Sequence, residues 1–198
     1  MSLRLGPMSM DKEPPRAALE TSRLRLEPVA AAHALGLYQA ALASRAQLLP
    51  WMPWAREITL EGNQHYTAEA ERAWKAGGEF HFVASEGGLV LGVVGLNRDD
   101  DRSAELHYWI RSDRTGLGYA TEAARRVLRW GEEQLGLERF TLWAGVDNQP
   151  SRRVAEKLGF LDLGPLPDPK QGGLGDFRAE SYERPAGLLS DEVKPLHG

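Results

Sequence analysis

Two glycines, Gly116 and Gly118, stand immediately before a run in which Ala120, Ala123, Ala124, Val127, Leu128 and Leu135 recur at helical spacing. Glu122, Arg125, Arg126, Arg129 and Glu132 take the other side, which is the pattern of an amphipathic helix. A helix start leaves several backbone N–H groups without acceptors and carries a partial positive charge. Glycines just ahead of it let an anion approach the bare backbone. The chemistry this predicts is capture of a phosphate or pyrophosphate; a tight turn without a ligand would use the same two glycines. Two common phosphate motifs do not fit. A P-loop needs Lys and then Ser or Thr after its last glycine, and Tyr119 and Ala120 stand there. A dinucleotide fingerprint needs a third glycine where this chain has Thr121.

The element that delivers the glycines is a strand. Ala104, Leu106, Tyr108 and Ile110 alternate with Glu105, His107, Trp109 and Arg111, a period of two supported by aromatic and branched residues. After the helix, Phe140 to Val146 reads as another strand. Asn148 and Ser151 then open a second helix, with Val154, Ala155 and Leu158 on its apolar side and Gly159 as its stop. Asn and Ser at such a start are also ordinary caps.

These segments carry a resemblance. Arg114 to Ala124, RTGLGYATEAA, resembles the acetyl-CoA pyrophosphate loop of the GNAT superfamily of N-acetyltransferases. The family pattern is Gln or Arg, two variable residues, Gly, one variable residue, then Gly or Ala. Gly118 and Ala120 fill the last two places, and Thr115 stands where Gln or Arg is expected. Val146 to Phe160, VDNQPSRRVAEKLGF, resembles the family's Asn-x-x-Ser segment and the helix after it. With PWMPW near the N-terminus and AELHYWI as the central strand, the layout is most similar to the RimJ/RimL branch, which acetylates ribosomal-protein N-termini. The resemblance covers Ala18 to Pro185.

It implies an α/β fold: one GNAT-like domain with a twisted, mixed, mostly antiparallel sheet of about seven strands and helices on both faces. The central strand and the strand after its helix would splay at one end. Main-chain groups of Trp109, Ile110 and Arg111 would then line the pantetheine arm of acetyl-CoA, the implied co-substrate. N–H groups of Gly116, Leu117, Gly118, Tyr119 and Ala120 would meet its pyrophosphate, and Asn148 would hold the arm or a water. No metal is implied.

An amine near neutral pH is mostly protonated and must lose a proton before it attacks a thioester. The resemblance makes Glu105 the base, a carboxylate whose pKa a partly desolvated cleft would raise. His107 shares its side of the strand and is either a substrate contact or a rival base. Ser151 would offer a proton or hydrogen bond to the departing CoA thiolate. Trp51 and Trp54, in the stretch Leu48 to Ala55, would lie over the acceptor, where aromatic rings can hold an apolar part. Nothing in the chain looks like an acyl carrier, so direct transfer in a ternary complex is expected. The acceptor would be a protein N-terminal amine. Alternatives are a small amine such as a polyamine, amino acid or drug, a longer acyl donor such as succinyl-CoA, or a non-catalytic acyl-CoA binding module.

Composition sets outer bounds. The 198 residues suit one domain with a substantial core. A net charge of −4 with 42% hydrophobic residues gives no reason to expect nucleic-acid binding. The chain has no cysteine, which excludes disulfides, thiolate metal sites and a cysteine nucleophile. No run approaches membrane-spanning length and no signal-peptide pattern opens the chain, so the cytoplasm is the expected location. A homodimer is left open.

Residues 1–17 read as a disordered leader, 18–185 as the domain and 186–198 as a flexible tail. Within the domain, Thr21 to Val29 reads as a strand. Ala30 to Ala43 reads as a helix with Ala34, Leu35, Tyr38, Ala41 and Leu42 as its stripe. Leu48 to Ala55 reads as a non-helical loop. Thr59 to Gly77 reads as a surface helix with the stripe Tyr66, Ala70, Ala73 and Trp74. Phe80 to Ser85 and Leu89 to Leu96 form a hairpin around Glu86-Gly87-Gly88. Asn97 to Ser103 is a charged loop that lacks the glycine and distal Glu of an EF-hand. Phe160 to Leu163 begins a strand, Leu166 to Gly175 is a loop, and Phe177 to Glu183 is the last strand.

Overall fold

The computed structural model describes residues 14–166 and 179–187. The expected loop from Leu166, the first residues of the expected last strand and most of the leader and tail lie outside them. Among the described residues, eight strands form one sheet in the order β1-β2-β3-β4-β5-β6-β8-β7. They are β1 (Leu19–Glu20), β2 (Arg25–Pro28), β3 (Glu79–Glu86), β4 (Leu89–Arg98), β5 (Ser103–Ile110), β6 (Arg139–Gly145), β7 (Leu161–Pro165) and β8 (Ala179–Pro185). Every pairing is antiparallel except β5 with β6. The α-helices that accompany them among these residues are α1 (Ala34–Ala43), α2 (Arg45–Leu48), α3 (Leu60–Lys75), α4 (Tyr119–Leu135) and α5 (Gln149–Lys157). The expectation of a mixed, mostly antiparallel sheet with helices on both faces holds. The sheet has eight strands because Leu19–Glu20, ahead of the expected first strand, pairs as a short strand of its own; Thr21–Leu24 is a turn, and β2 starts only at Arg25.

Local chemistry explains the joints. Gly87 and Gly88 between β3 and β4 have φ of 55° and 84°, the two positive values of the turn that suits a twisted hairpin. Thr59 caps α3 by accepting from the Gly62 N–H at 2.9 Å. Gly136, at φ 67°, ends α4 in the left-handed conformation.

The two sides of β5 divide the interior. Ala104, Leu106 and Ile110 join Phe80, Phe82, Val94 and Leu96 in a core closed by Ala123, Ala124, Val127, Leu128 and Trp130 of α4. On the other side Trp109 packs with Val83, Val93, Leu37 of α1 and Ala70 of α3. Trp74, in the expected apolar stripe of α3, is the most deeply packed residue of that stripe. It is 1% exposed, meets Phe80, Phe82 and Trp130 with ring centroids 5.2–5.4 Å apart, and donates its indole N–H to the Pro14 carbonyl. Pro14 and Arg16, read from sequence as leader, therefore pack on the domain, with Arg16 over the Trp74 ring.

Two further expectations are corrected. The buried residues of α1 are Ala34, Leu37, Ala40 and Ala41, while Leu35 and Leu42 are exposed. The helix approaches β4 so closely that small residues face the sheet: a Cβ on Gly36 would lie 2.7 Å from Val90. Leu48 to Ala55 is not free of helix, since α2 ends at Leu48 and a 3-10 turn spans Pro53–Arg56. Proline suits the first position of that turn because its missing N–H would have no partner there. Among the described residues, no helix is long and apolar enough to cross a membrane.

Candidate active site

The parallel ladder between β5 and β6 joins Ser103, Ala104 and Glu105 to Arg139, Phe140 and Thr141 and then stops. Beyond Glu105 the two strands have no register in common, which is the splay that the family resemblance implies. Backbone directions along this opening follow from the antiparallel alternation. The Arg111 N–H donates to the Leu91 carbonyl and the Asp99 N–H to the Ser103 carbonyl. With that register the odd-numbered residues of β5 bond to β4, and Leu106, Tyr108 and Ile110 turn their main-chain groups toward β6. Of Trp109, Ile110 and Arg111, only Ile110 faces the opening. Trp109 turns toward β4 because hydrogen-bond direction alternates along a strand, and Arg111 donates its N–H to Leu91 of β4 while its carbonyl accepts from the Arg114 N–H. Across the opening, the Ala186 N–H donates to Glu138, so the same alternation leaves Trp143 of β6 facing β5.

The glycine loop lies at the far end of β5. Gly116 and Gly118 have φ of 76° and 84°, and Gly118 is the residue before the first turn of α4. The first main-chain bond into α4 runs from the Glu122 N–H to the Gly118 carbonyl. Helix geometry therefore leaves the N–H groups of Tyr119 and Ala120 without intrahelical acceptors. A Cβ on Gly116 would meet nothing within 4 Å, so space for a ligand lies against the bare backbone. These features fit a pyrophosphate. Thr115 uses its hydroxyl on the Ser112 carbonyl at 3.0 Å.

A cation reaches this loop from a part of the chain the sequence reading did not connect with it. Arg23 donates to the Leu117 carbonyl at 3.1 Å, stacks 4.3 Å from the Tyr119 ring centre and pairs with Glu122 through Nε at 2.7 Å. Glu122 also accepts from the Thr21 hydroxyl at 2.5 Å and the Ser22 hydroxyl at 3.2 Å. Burial pushes this carboxyl upward, but Thr21 and Arg23 outweigh it and hold it below the usual range. The Tyr119 hydroxyl donates to Glu86 at 2.6 Å. These contacts brace the loop from both sides.

Glu105 is the last residue of the β5–β6 ladder, between Asn97 of β4 and Thr141 of β6. Burial, with Asp99 nearby, pushes its carboxyl up to about 7. His107 follows on the same side, paired with Gly95, while Gly95 pairs with His81 on its other edge. The two imidazoles meet edge to face with centroids 4.4 Å apart. Only glycine fits between them, since a Cβ at position 95 would lie 2.6 Å from His107 Nε2 and 2.7 Å from His81 Cδ2. His81 Nε2 is 3.0 Å from Asn97 Oδ1, and its Nδ1 is 3.0 Å from the Tyr66 hydroxyl. The Asn97 oxygen only accepts, so this network places the His81 proton on Nε2 and has Tyr66 donate to Nδ1. Burial lowers both histidines: His107 falls well below the ordinary value, with His81 adding to the effect. His107 is thus a weak base, whereas Glu105 is tuned to the range where a carboxylate can take a proton from an amine.

Trp54 stands over the same side, 44% exposed, with its ring 5.8 Å from that of Trp109. Trp51 follows α2, its backbone N–H donating to Leu48. Asn148 caps α5, accepting the Ser151 N–H at 3.3 Å. Ser151 emerges on the opposite side of the sheet from Glu105, with its hydroxyl 2.9 Å from the Tyr108 hydroxyl. The two candidate proton-handling groups therefore flank one opening from opposite sides. Sequence reasoning missed Tyr108, His81 and Arg23 as site residues. The first was visible as a polar tip on an otherwise aliphatic strand side; the other two depend on strand pairing.

The match to known proteins is consistent with this geometry. The model for the acetyltransferase (GNAT) domain family matches residues 23–161. The YdaF protein of Bacillus subtilis (strain 168) is 37% identical over 83 residues, which cover 41% of this chain and 45% of that protein. The chain thus spans about half the length of that relative. The ribosomal-protein-serine acetyltransferase of Escherichia coli (strain K12) is 26% identical over 141 residues, covering 70% of this chain and 79% of that enzyme. In fold, the structure of RimL, a ribosomal L7/L12 alpha-N-protein acetyltransferase in complex with coenzyme A, superposes with a TM-score of 0.78 at 19% identity, covering 85% of this chain and 98% of that one. A single family model spanning both the glycine loop and the Asn148–Ser151 segment settles the matter: the chain belongs to the GNAT acetyltransferase family.

Proposed function

We propose that this protein is an acetyl-CoA-dependent N-acetyltransferase that acts on the N-terminal amine of a protein chain, by direct transfer with both substrates bound. The observation that carries the reading is Glu105, a half-buried carboxyl raised to about 7 at the very point where β5 and β6 part. Bound acetyl-CoA supplies the thioester. The N–H groups at the start of α4 hold its pyrophosphate, and Leu106, Tyr108, Ile110 and Trp143 offer main-chain partners to its arm as a neighbouring strand would. Glu105, ionised, takes a proton from the acceptor ammonium. Ser151 stands across the opening to receive the leaving sulfur.

The acceptor side supports a chain-like substrate. Beyond the fork this side of the sheet continues over Thr141, Trp143, Ser181 and Glu183, all half-buried, to Leu161 at the rim, which is 66% exposed. Together with exposed Trp54 these residues make a surface on which an extended peptide can lie. The Escherichia coli relative, named for acetylating ribosomal-protein serine, favours the same class of acceptor.

Calorimetric titration with acetyl-CoA, with succinyl-CoA and with the Gly118→Trp variant tests the donor site. Binding that the substitution abolishes supports it; no binding of any acyl-CoA overturns it. Turnover of ribosomal-protein N-terminal peptides against polyamines and amino acids then tests the acceptor. Turnover of small amines alone overturns the peptide reading, and binding without turnover of any amine leaves a non-catalytic module.

A further inference from the structure

We propose that Tyr108 is a positioning residue for acyl transfer: its phenol donates to Ser151 Oγ and so directs the serine's own proton toward the sulfur leaving at the opening between β5 and β6. The inference rests on the acetyltransferase reading of this site.

Tyr108 lies on β5 between Leu106 and Ile110 and is the one of the three that carries a hydroxyl. Its main chain faces the opening, and its side chain leaves on the side where α4 and α5 pack. The hydroxyl lies 2.9 Å from Ser151 Oγ and 3.3 Å from the Ser151 carbonyl. The shorter contact is the one of ordinary strength for two hydroxyls. Ser151 itself sits in the first turn of α5, its N–H held by the Asn148 side chain. That fixes its backbone and leaves one rotor undecided, the turn about Cα–Cβ. A serine early in a helix often folds its hydroxyl back onto the preceding turn. A phenol anchored in a packed core selects the rotamer that faces the sheet instead.

The proton inventory follows from the donor types. A serine hydroxyl has one proton and two lone pairs. When Oγ accepts from Tyr108, its only proton is free to point elsewhere, and the opening is the polar destination within reach. The phenol remains neutral throughout: burial raises its pKa above the ordinary value even though the Ser151 contact works the other way. Tyr108 therefore keeps its proton. The chain Tyr O–H to Oγ–H to sulfur stabilises charge on sulfur by hydrogen bonding, and no covalent bond to the phenol breaks. The neighbouring phenol does not compete for Ser151. Tyr182 accepts from Arg152 Nε at 2.9 Å and donates to Glu180 at 2.9 Å, so its bonds are already made.

The chain contains no cysteine, so thiolate absorbance in its complex with CoA belongs to CoA alone. Ultraviolet titration of that complex reads the ionisation midpoint of the bound thiol. Tyr108→Phe is expected to raise this midpoint by about one pH unit, the scale of a lost hydrogen bond to the charged form. It is also expected to lower kcat about tenfold with KM for acetyl-CoA unchanged, as for an interaction that matters only in the transition state. Ser151→Ala does both, and the double variant loses no more than Ser151→Ala alone, since the phenol acts through the serine. Replacing Tyr108 by 3-fluorotyrosine keeps the ring, strengthens the donor and moves the midpoint down; this variant carries the test if Tyr108→Phe fails to fold.

Movement of the midpoint and kcat by Ser151→Ala but not by either change at Tyr108 overturns the proposal and leaves the acetyltransferase reading standing. Multiplying losses in the double variant also overturn it, because the two hydroxyls would then act separately. If Ser151→Ala changes neither quantity while Glu105→Gln stops turnover, the serine has no part in the step and the proposal falls with it. Absence of acyl-CoA binding is the separate failure of the functional reading.

Discussion

On one side of β5, Ala104, Leu106 and Ile110 are sealed beneath α4, and the hydroxyl pair of Tyr108 with Ser151 interrupts the apolar surface at the opening. On the other side, Glu105, His107 and Trp109 face β3, β4 and the aromatic loop, with Tyr66, His81, Asn97 and Asp99 around them. A strand buried on both sides is ordinarily apolar throughout. Here the dry side fixes where the strand lies, and the polar side, largely buried, shifts the charge states of what it carries. Burial moves Glu105 up and His107 down, toward the same outcome of two neutral groups. Only the carboxyl ends near the working pH, so the same desolvation gives one residue a base's pKa and takes it from its neighbour.

Removing the proposed base should give the largest effect. Glu105→Gln is expected to lower kcat by about 10²–10⁴-fold while leaving acetyl-CoA affinity within a few-fold, measured by steady-state kinetics and calorimetry. His107→Gln, by contrast, should leave the acid limb of the pH profile in place. That limb belongs to the ionised carboxylate: activity is full above the raised pKa of about 7 and falls as pH drops through it. The comparison fails if the histidine variant removes the limb and the glutamine at 105 does not.

The dry side gives the next effect. Trp74→Ala should destabilise the domain by about 3–5 kcal/mol, read by denaturant unfolding, because the indole closes the contact of β3 with α4. Gly95→Ala should cost about 1–3 kcal/mol and shift the pH profile as well, since its methyl group must displace the stacked imidazoles beside Glu105. An unchanged pH profile in that variant would uncouple the histidine pair from the base. Arg23→Ala is expected to be mildest. Its partly exposed bridge to Glu122 is worth about 1 kcal/mol or less, so acetyl-CoA affinity should fall only a few-fold.

Much of the dry side was legible in the sequence. The alternation of Ala104, Leu106, Tyr108 and Ile110 gives the buried side of β5 directly, and the glycine pair gives the helix start with its bare N–H groups. The assignment of Trp109 and Arg111 to the opening went astray because side-chain parity is a property of one strand, whereas hydrogen-bond direction is set by pairing with β4. In α1, alanine and leucine surround the whole helix, so period alone could not tell which stripe faces inward. Proximity to Val90, which admits Gly36 and little larger, made that choice. Arg23 and Glu122 are 99 positions apart, and no local pattern links them. His107 and His81 meet only because two hairpin registers bring Gly95 between them.

The short parallel ladder has a mechanical consequence. Among the described residues, three register pairs are the sole strand-to-strand tie between the half of the sheet from β1 to β5 and the half formed by β6, β8 and β7. The molecule thus carries a seam, spanned mainly by α4, along which it should breathe more readily than across either half. Amides of β6 beyond Thr141 would exchange with solvent before those of β3 or β4, as expected of separate cooperative units. A ligand strand laid into the seam would restitch it, so donor binding should slow that exchange and raise the melting temperature together.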